Sequence, residues 1–290
     1  MKEEKNLENN NNRRKPDWLK IRLPKGTSYA EVKGVIRKNN LHTICTSGDC
    51  PNLGECWDAG TATFMILGDI CTRSCKFCAV KTGKPLPLNS EEPIKLAESI
   101  QFLKLKHCVI TSVDRDDLED GGASAWAKTI SEIKRINPQT TIEVLIPDFD
   151  GNENLISKII DQRPDIISHN LETVKRLTPK VRSKARYDRS LSVIRFVSES
   201  GIRSKSGIML GIGETIDEVI ETMHDLRNVN CEVLTLGQYL QPSLNNLEVV
   251  EYIKPEIFAD LKKTGLQMGF RFVESGPLVR SSYHAEKHVL

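Results

Sequence analysis

Three cysteines fall within eight residues: Cys71, Cys75 and Cys78, in the segment CTRSCKFC. The offsets i, i+4 and i+7 match one face of a helix. The intervening Thr72, Arg73, Ser74 and Lys76 are polar, however, so a helical stripe here would consist of sulfur alone. Clustered cysteines read first as metal ligands. A zinc site usually takes four ligands, often from paired C-x2-C units. Here one C-x2-C unit is preceded by a C-x3 arm, which gives three. An iron–sulfur cube has four irons, each with room for one protein ligand. Three cysteines in a tight loop leave one iron open, and an open iron binds a substrate or cofactor.

A second triplet lies just upstream: Cys45, Cys50 and Cys56, in CTSGDCPNLGEC. The C-x4-C-x5-C spacing fits no helix face, and Gly48, Pro51 and Gly54 predict a loop. Two assignments stay open on spacing. One is a structural zinc completed by His42 or a distant residue. The other is a second iron–sulfur cluster whose fourth ligand comes from far along the chain. The last two of the eight cysteines, Cys108 and Cys231, each head an apolar run and read as small core hydrophobes.

These residues need elements to position them. The sequence predicts strands at 63–68, 107–113, 140–147, 165–170, 204–210, 233–240 and 270–275. Helical patterns lie between them, over 89–105, 122–136, 152–161, 189–200, 214–228 and 255–265. Ser90, with Glu91 and Glu92, and Asn152, with Glu153, are expected to give two of them a cap or an acidic first turn. Strands alternating with helices mean βαβ units and a parallel sheet, here a full or partial β/α barrel, with an open doubly wound sheet as the second choice. In a barrel, chemistry sits at the carboxyl ends of the strands. The polar segments SVDRDD, PDFD, HNLET, GIGET and QYLQPS follow successive strands and should converge on one mouth. GIMLGIGE does not match G-x-G-x-x-G, so a dinucleotide-binding turn is rejected. Gly207, Gly211 and Gly213 read instead as a strand end whose backbone approaches a ligand.

The 290 residues suffice for one large α/β domain, and 39% hydrophobic with 28% charged residues describes a globular chain. No apolar run is long enough to span a membrane, and the start of the chain has no apolar signal segment. Residues 1–15 read as a disordered tail, 16–60 as an extension carrying the second triplet, 61–275 as the barrel and 276–290 as a tail. The net charge of +2 matches the excess in residues 1–20, so the remainder is neutral and gives no push toward nucleic acid. Residues 175–189 depart from this, with seven basic residues against one acid. They read as a solvated helix face or as a docking surface for an acidic partner.

The segment CTRSCKFC, with Phe77 before its last cysteine, resembles the cluster motif of the radical S-adenosylmethionine (SAM) superfamily. The two triplets together resemble those of the lipoyl synthases. The likeness extends over KPDWLKIRLP, CPNLGECW, ATFMILGDICTRSCKFCAVKTGKP, DLEDGGA, HNLETV, YLQPS and GPLVRSSYHAE. It implies a partial (β/α)6 barrel of the TIM type. It also implies two 4Fe–4S clusters, one on Cys71, Cys75 and Cys78 and an auxiliary one on Cys45, Cys50, Cys56 and Ser282. SAM would bind the open iron of the first, with Phe77, Asn170, Glu172 and Arg189 around it. The implied activity is radical insertion of two sulfur atoms at C6 and C8 of an octanoyl-lysine, with the sulfur drawn from the auxiliary cluster. The implied partners are octanoylated lipoyl carrier domains of 2-oxoacid dehydrogenase E2 subunits or the glycine cleavage H protein. An electron donor such as ferredoxin or flavodoxin, a monomer and a cytoplasmic location complete the expectation. Asn246 and Glu248 stand where lipoyl synthases usually show His and Pro, which bears on loop shape or carrier docking. The competing readings are another radical SAM sulfur-inserting enzyme, of the biotin synthase kind, and a non-catalytic iron–sulfur or zinc protein.

Overall fold

The computed structural model describes residues 15–20, 27–58 and 62–289. The expected disordered segment, apart from Lys15, lies outside the described residues. The described strands are β1 (His42–Thr43), β2 (Thr63–Ile66), β3 (Ile70–Cys71), β4 (Lys81–Thr82), β5 (His107–Ser112), β6 (Thr141–Leu145), β7 (Ile166–Ser168), β8 (Arg203–Leu210), β9 (Val233–Gln238) and β10 (Phe272–Gly276). The helices are α1 (Thr27–Lys38), α2 (Ile44–Ser47), α3 (Leu53–Asp58), α4 (Glu92–Phe102), α5 (Ala123–Ile136), α6 (Glu153–Ile160), α7 (Thr178–Val181), α8 (Tyr187–Glu199), α9 (Ile216–Asn228) and α10 (Pro255–Gln267).

One sheet runs β1-β2-β5-β6-β7-β8-β9-β10, and β3 pairs with β4 beside it. From β2 to β10 every neighbour in the large sheet is parallel. Only β1 runs antiparallel, with His42 opposite Met65 and Thr43 opposite Phe64. Six β/α units followed by a seventh strand make the expected partial barrel, with edges at β1 and β10. All seven anticipated strands form. Among the described residues no helix is long and apolar enough to cross a membrane.

The strands read as apolar runs because helices cover one face and side chains fill the other. All four residues of β2 and all six of β9 are buried. On α5, Trp126, Ile130 and Ile133 recur at i, i+4 and i+7, and all are inaccessible. They belong to one core with Leu96, Ala97 and Ile100 of α4.

Two local expectations are corrected. Ser90 caps nothing: α4 begins at Glu92, and its cap position, Glu91, makes no side-chain capping bond, although Glu92 does supply the acidic first turn. Pro93 fits only a first turn, so it fixes the start beyond Ser90. Asn152 does cap α6, accepting from Asn154 N. The second cysteine triplet is not a loop throughout. The Thr43 side chain accepts from Thr46 N, so α2 starts there and carries Cys45. Cys50 lies in the turn that follows, and Cys56 lies on α3. Gly48 closes α2, while Gly54 is accommodated inside α3.

After β10 the chain turns back across the barrel. Gln238 N donates to Pro277 O, and the Asn52 side chain donates to Leu278 O at 2.7 Å. Gly237 is the crossing point, because a Cβ there would collide with the Val279 carbonyl oxygen.

Gly237→Ala is therefore expected to lower stability by about 1–3 kcal/mol. Gly34, exposed within α1 with nothing within 4 Å of a built Cβ, is the control. Gly34→Ala is expected to raise stability by roughly 0.5–1 kcal/mol. Urea unfolding of both variants measures this, and a Gly237→Ala chain as stable as the parent would contradict the crossing.

Candidate functional site

The carboxyl ends of the strands open into a cavity of about 1310 Å³, larger than a site for one small molecule needs. Its wall includes alternate strand positions, such as Val109 and Thr111 of β5, Gly207 and Met209 of β8, and Thr235 and Gly237 of β9. Gly207 has no room for a side chain: a Cβ would collide with the Thr235 hydroxyl.

Cys71, Cys75 and Cys78 line this cavity. They do not form a helix face. Cys71 ends β3, and the other two lie in the irregular turn that follows. The organiser of this loop is Arg73, whose side chain is 5% exposed. Its guanidinium pairs with Asp116 at 2.9 Å, with Asp148 at 2.8 Å and with Asp114 at 3.3 Å. Those carboxylates follow β5 and β6, so two strand ends hold the cysteine loop through one cation. They hold the Arg73 side chain against the cavity wall.

The sulfurs meet hydrogen-bond donors. Cys71 Sγ accepts from Arg73 N at 3.4 Å and from Asp114 N at 3.3 Å. Cys75 Sγ lies 3.7 Å from the Ser183 hydroxyl. Burial foremost, then the Asp114 carboxylate, pushes the Cys71 thiol up to about 12. Burial likewise pushes Cys78 to about 11, with Cys75, Glu172 and Asp114 adding to it. Backbone N–H donors oppose burial at both sulfurs. Buried thiols crowded by carboxylates ionise only when positive charge arrives, and the N–H donors already suit the ionised form. That donor set fits a group carrying several cationic irons.

The second triplet faces the same space. Cys45 and Cys50 line the cavity, and burial raises both thiols. Cys56 is not part of the wall. It lies beside Tyr283, whose hydroxyl is raised by burial first and also by Glu55 and Cys56. The segment 278–283 closes over this group. Ser281 and Ser282 line the cavity, and the Asn170 amide donates to the Ser281 hydroxyl at 2.8 Å. Tyr283 donates to Glu55 at 3.4 Å. Cys45 and Ser282 thus share one chamber with the first triplet. Among the described residues no three His, Cys, Asp or Glu side chains are grouped as a site for one metal ion. A cluster makes a different demand, one ligand at each of several irons.

Phe77, Asn170 and Glu172 also reach the cavity. Among the described residues, the Asn170 carbonyl oxygen is buried without a hydrogen-bond partner. Glu172 has φ 68, a left-handed conformation that costs a side-chain-bearing residue about 1–3 kcal/mol. The sheet enforces it: Glu172 N donates to Gly207 O at 3.0 Å, and Met209 N donates to Glu172 O at 2.9 Å. Burial raises the Glu172 carboxyl, and Arg182 and Asn170 offset part of this.

Arg189 does not reach the cavity. It is held by Asp148 at 2.9 Å and Asp150 at 3.0 Å. Arg182, earlier in the same basic run, lines the cavity instead. The rest of the basic run is largely neutralised within the chain. Arg176 pairs with Glu218, Lys175 with Asp188, and Lys184 with Asp116 and Asp150. The docking surface read from 175–189 loses most of its charge for this reason.

GIGET is also a self-contained turn. The Glu214 carboxylate accepts from Gly211 N and Ile212 N, and none of the three lines the cavity. Asn246 has a definite place: its amide donates to Lys76 O at 3.2 Å and Cys78 O at 2.9 Å. It clasps the cysteine turn rather than standing free for a partner. The sequence reading brought the segments bearing Asp114 and Asp148 to the mouth without giving either residue a role, gave Arg182 only as part of the basic run, and missed Arg73. A lone Arg inside a cysteine loop, with acids after two successive strands, was the available signal.

Comparisons with known proteins bear on the family and the fold. The radical SAM superfamily model matches residues 65–226, and that for the N-terminal domain of lipoyl synthase matches residues 1–50. The chain is 63% identical over 279 residues to the lipoyl synthase of Treponema denticola, covering 96% of each. It is 58% identical over 276 residues to the mitochondrial lipoyl synthase of Nematostella vectensis, covering 95% of each. Among solved structures, HydG, a maturase of the FeFe-hydrogenase, aligns with a TM-score of 0.60 at 12% identity. That match covers 91% of this chain and 66% of the other. Methylornithine synthase aligns at 0.54 and 13% identity, over 85% and 76%. At such identities the likeness concerns the fold.

Arg73→Gln removes a cation from Asp148, whose side chain is 0% exposed. The expected cost is about 3–5 kcal/mol in urea unfolding, with reduced iron uptake. Asn246→Ala leaves two carbonyls unclasped and is expected to cost about 1–2 kcal/mol. A larger loss for Asn246→Ala than for Arg73→Gln would refute Arg73 as organiser.

Proposed function

Since the chain belongs to the lipoyl synthases of the radical SAM superfamily, we infer that its two cysteine triplets hold two 4Fe–4S clusters facing one chamber. It is a radical SAM enzyme that inserts sulfur to form the lipoyl group. The observation that carries the finer reading is the shared cavity: Cys45, Cys50 and Ser282 open into the same space as Cys71, Cys75 and Cys78.

In this reading Cys71, Cys75 and Cys78 hold the first cluster, and Cys45, Cys50, Cys56 and Ser282 hold the second. Loaded with its cluster and SAM, the first site would supply hydrogen abstraction at C6 and C8 of an octanoyl chain, with one electron from an external reductant for each SAM cleaved, and the second would supply the sulfur. The chain's own groups do the placing. Glu172 and the unpartnered Asn170 oxygen suit the ammonium of SAM, and its arrival restores the carboxylate that burial disfavours. Arg182, rather than Arg189, is the cation available to the SAM carboxylate. The missing side chain at Gly207 leaves room for the Thr235 hydroxyl and the Asn170 amide oxygen beside the cofactor space. Val109, Leu145 and Met209 offer an apolar wall to the octanoyl chain and exclude water from the reacting carbons.

The substrate is an octanoylated lipoyl carrier domain, and the electron comes from a small carrier such as ferredoxin or flavodoxin. Anaerobic incubation with an octanoyl-lysine peptide, SAM and a reductant is expected to give a dithiolane and 5′-deoxyadenosine by mass spectrometry. SAM cleavage with no sulfur in the peptide would overturn the substrate. Two cubes predict about eight iron and eight sulfide per chain. Ser282→Ala is expected to stop sulfur insertion more than SAM cleavage, and equal loss of both would remove Ser282 from the ligand set.

A further inference from the structure

The base of the barrel carries buried polar groups that this chemistry does not use. Lys205 of β8 pairs with Glu143 of β6 at 2.7 Å, with exposures of 0% and 1%. Ser168 of β7 donates to the same carboxylate at 3.0 Å. Onto this pair folds His288, itself wholly buried, with Nδ1 3.3 Å from the Lys205 ammonium. An ammonium can only donate, so Nδ1 accepts and the ring proton sits on Nε2. Burial first, then the Lys205 charge, pushes this imidazole down to about 3 and keeps it neutral. Arg203 donates to the His288 carbonyl, and the Phe272 ring packs at 5.7 Å.

The returning segment is thus held on both sides of Ser282, with a long Tyr283–Glu55 bond of 3.4 Å between. Upstream are the Asn52 bond to Leu278 O and the Asn170 bond to Ser281. Downstream is His288. Ser282, Tyr283 and His284 lie between. His284 has φ 53, a conformation that persists only where both flanks impose it. With one hold released, a short segment with few regular backbone bonds opens more often.

We propose that His288 is the positioning residue that keeps the Ser282-bearing segment against the cavity, by accepting a hydrogen bond from Lys205 at the base of the barrel. The spectroscopic arm of the test rests on Ser282 as a cluster ligand; the exchange arm does not.

The test uses the full chain, loaded anaerobically with iron and sulfide, as the parent, His288→Ala, His288→Asn and Ser282→Ala. Hydrogen exchange over 277–289 and the Mössbauer spectrum of the second cluster are recorded. In His288→Ala, exchange over 282–287 is expected to rise about tenfold. Its second-cluster spectrum should move toward that of Ser282→Ala, while SAM cleavage without peptide is unchanged. In His288→Asn the Oδ1 takes the place of Nδ1, and both readouts should return to the parent values. Parent-like exchange in His288→Ala would overturn the proposal. If His288→Ala also loses protection in Ala123–Ile136, the Asn variant decides: native exchange supports the proposal and fast exchange over 282–287 overturns it. A parent-like spectrum for Ser282→Ala would instead remove the ligand reading and leave exchange to judge His288.

Discussion

The site depends on one buried cation. Arg73 sits inside the loop that bears Cys71, Cys75 and Cys78 and is met by Asp114, Asp116 and Asp148. A single guanidinium amid three carboxylates fixes a loop of little regular structure to the ends of β5 and β6. The Asp116 carboxylate is held well below its ordinary range by Arg73, with Lys184 assisting. Asp114 is raised by burial despite Arg73. The two shifts differ because Asp116 accepts short bonds from both cations, whereas Asp114 meets Arg73 only at 3.3 Å and lies against Cys71. The charge balance of the cysteine loop is therefore set by neighbours on other strands.

The second constraint is the meeting of distant segments. Residues 45–56 and 278–283 come together at the cavity from opposite ends of the sequence. Asn52, Tyr283 and Gly237 make that meeting possible, through two side-chain bonds and one missing side chain.

Much of this was legible in the chain. The strands announced themselves as apolar runs, and the barrel followed from their alternation with helices. The cysteine spacings and the resemblance pointed to Cys45, Cys50, Cys71, Cys75, Cys78 and Ser282, which line one cavity. What could not be read was pairing across the fold. Arg189 and Arg182 are both basic residues of one run, and nothing local says which turns to Asp148 and which to the cavity. GIGET looked like a ligand-facing turn because its glycines are visible, whereas the Glu214 bonds that satisfy its own amides depend on conformation. Asn246 stood out as a departure, but its bonds to the Lys76 and Cys78 carbonyls need the tertiary structure.

The crossing at Gly237 has a consequence for the order of assembly. Asn52 and Leu278 are 226 positions apart, so their contact closes nearly the whole chain. Contacts of such separation are slow to form, because the intervening chain must be ordered first. The carboxylates that hold Arg73 all precede β7, so the anchor of the first cysteine loop can form early. The wall that contains Ser282 cannot exist until β9 and β10 are in place. A chain growing from its amino end therefore completes the two halves of its chamber at different times, the half bearing Ser282 last.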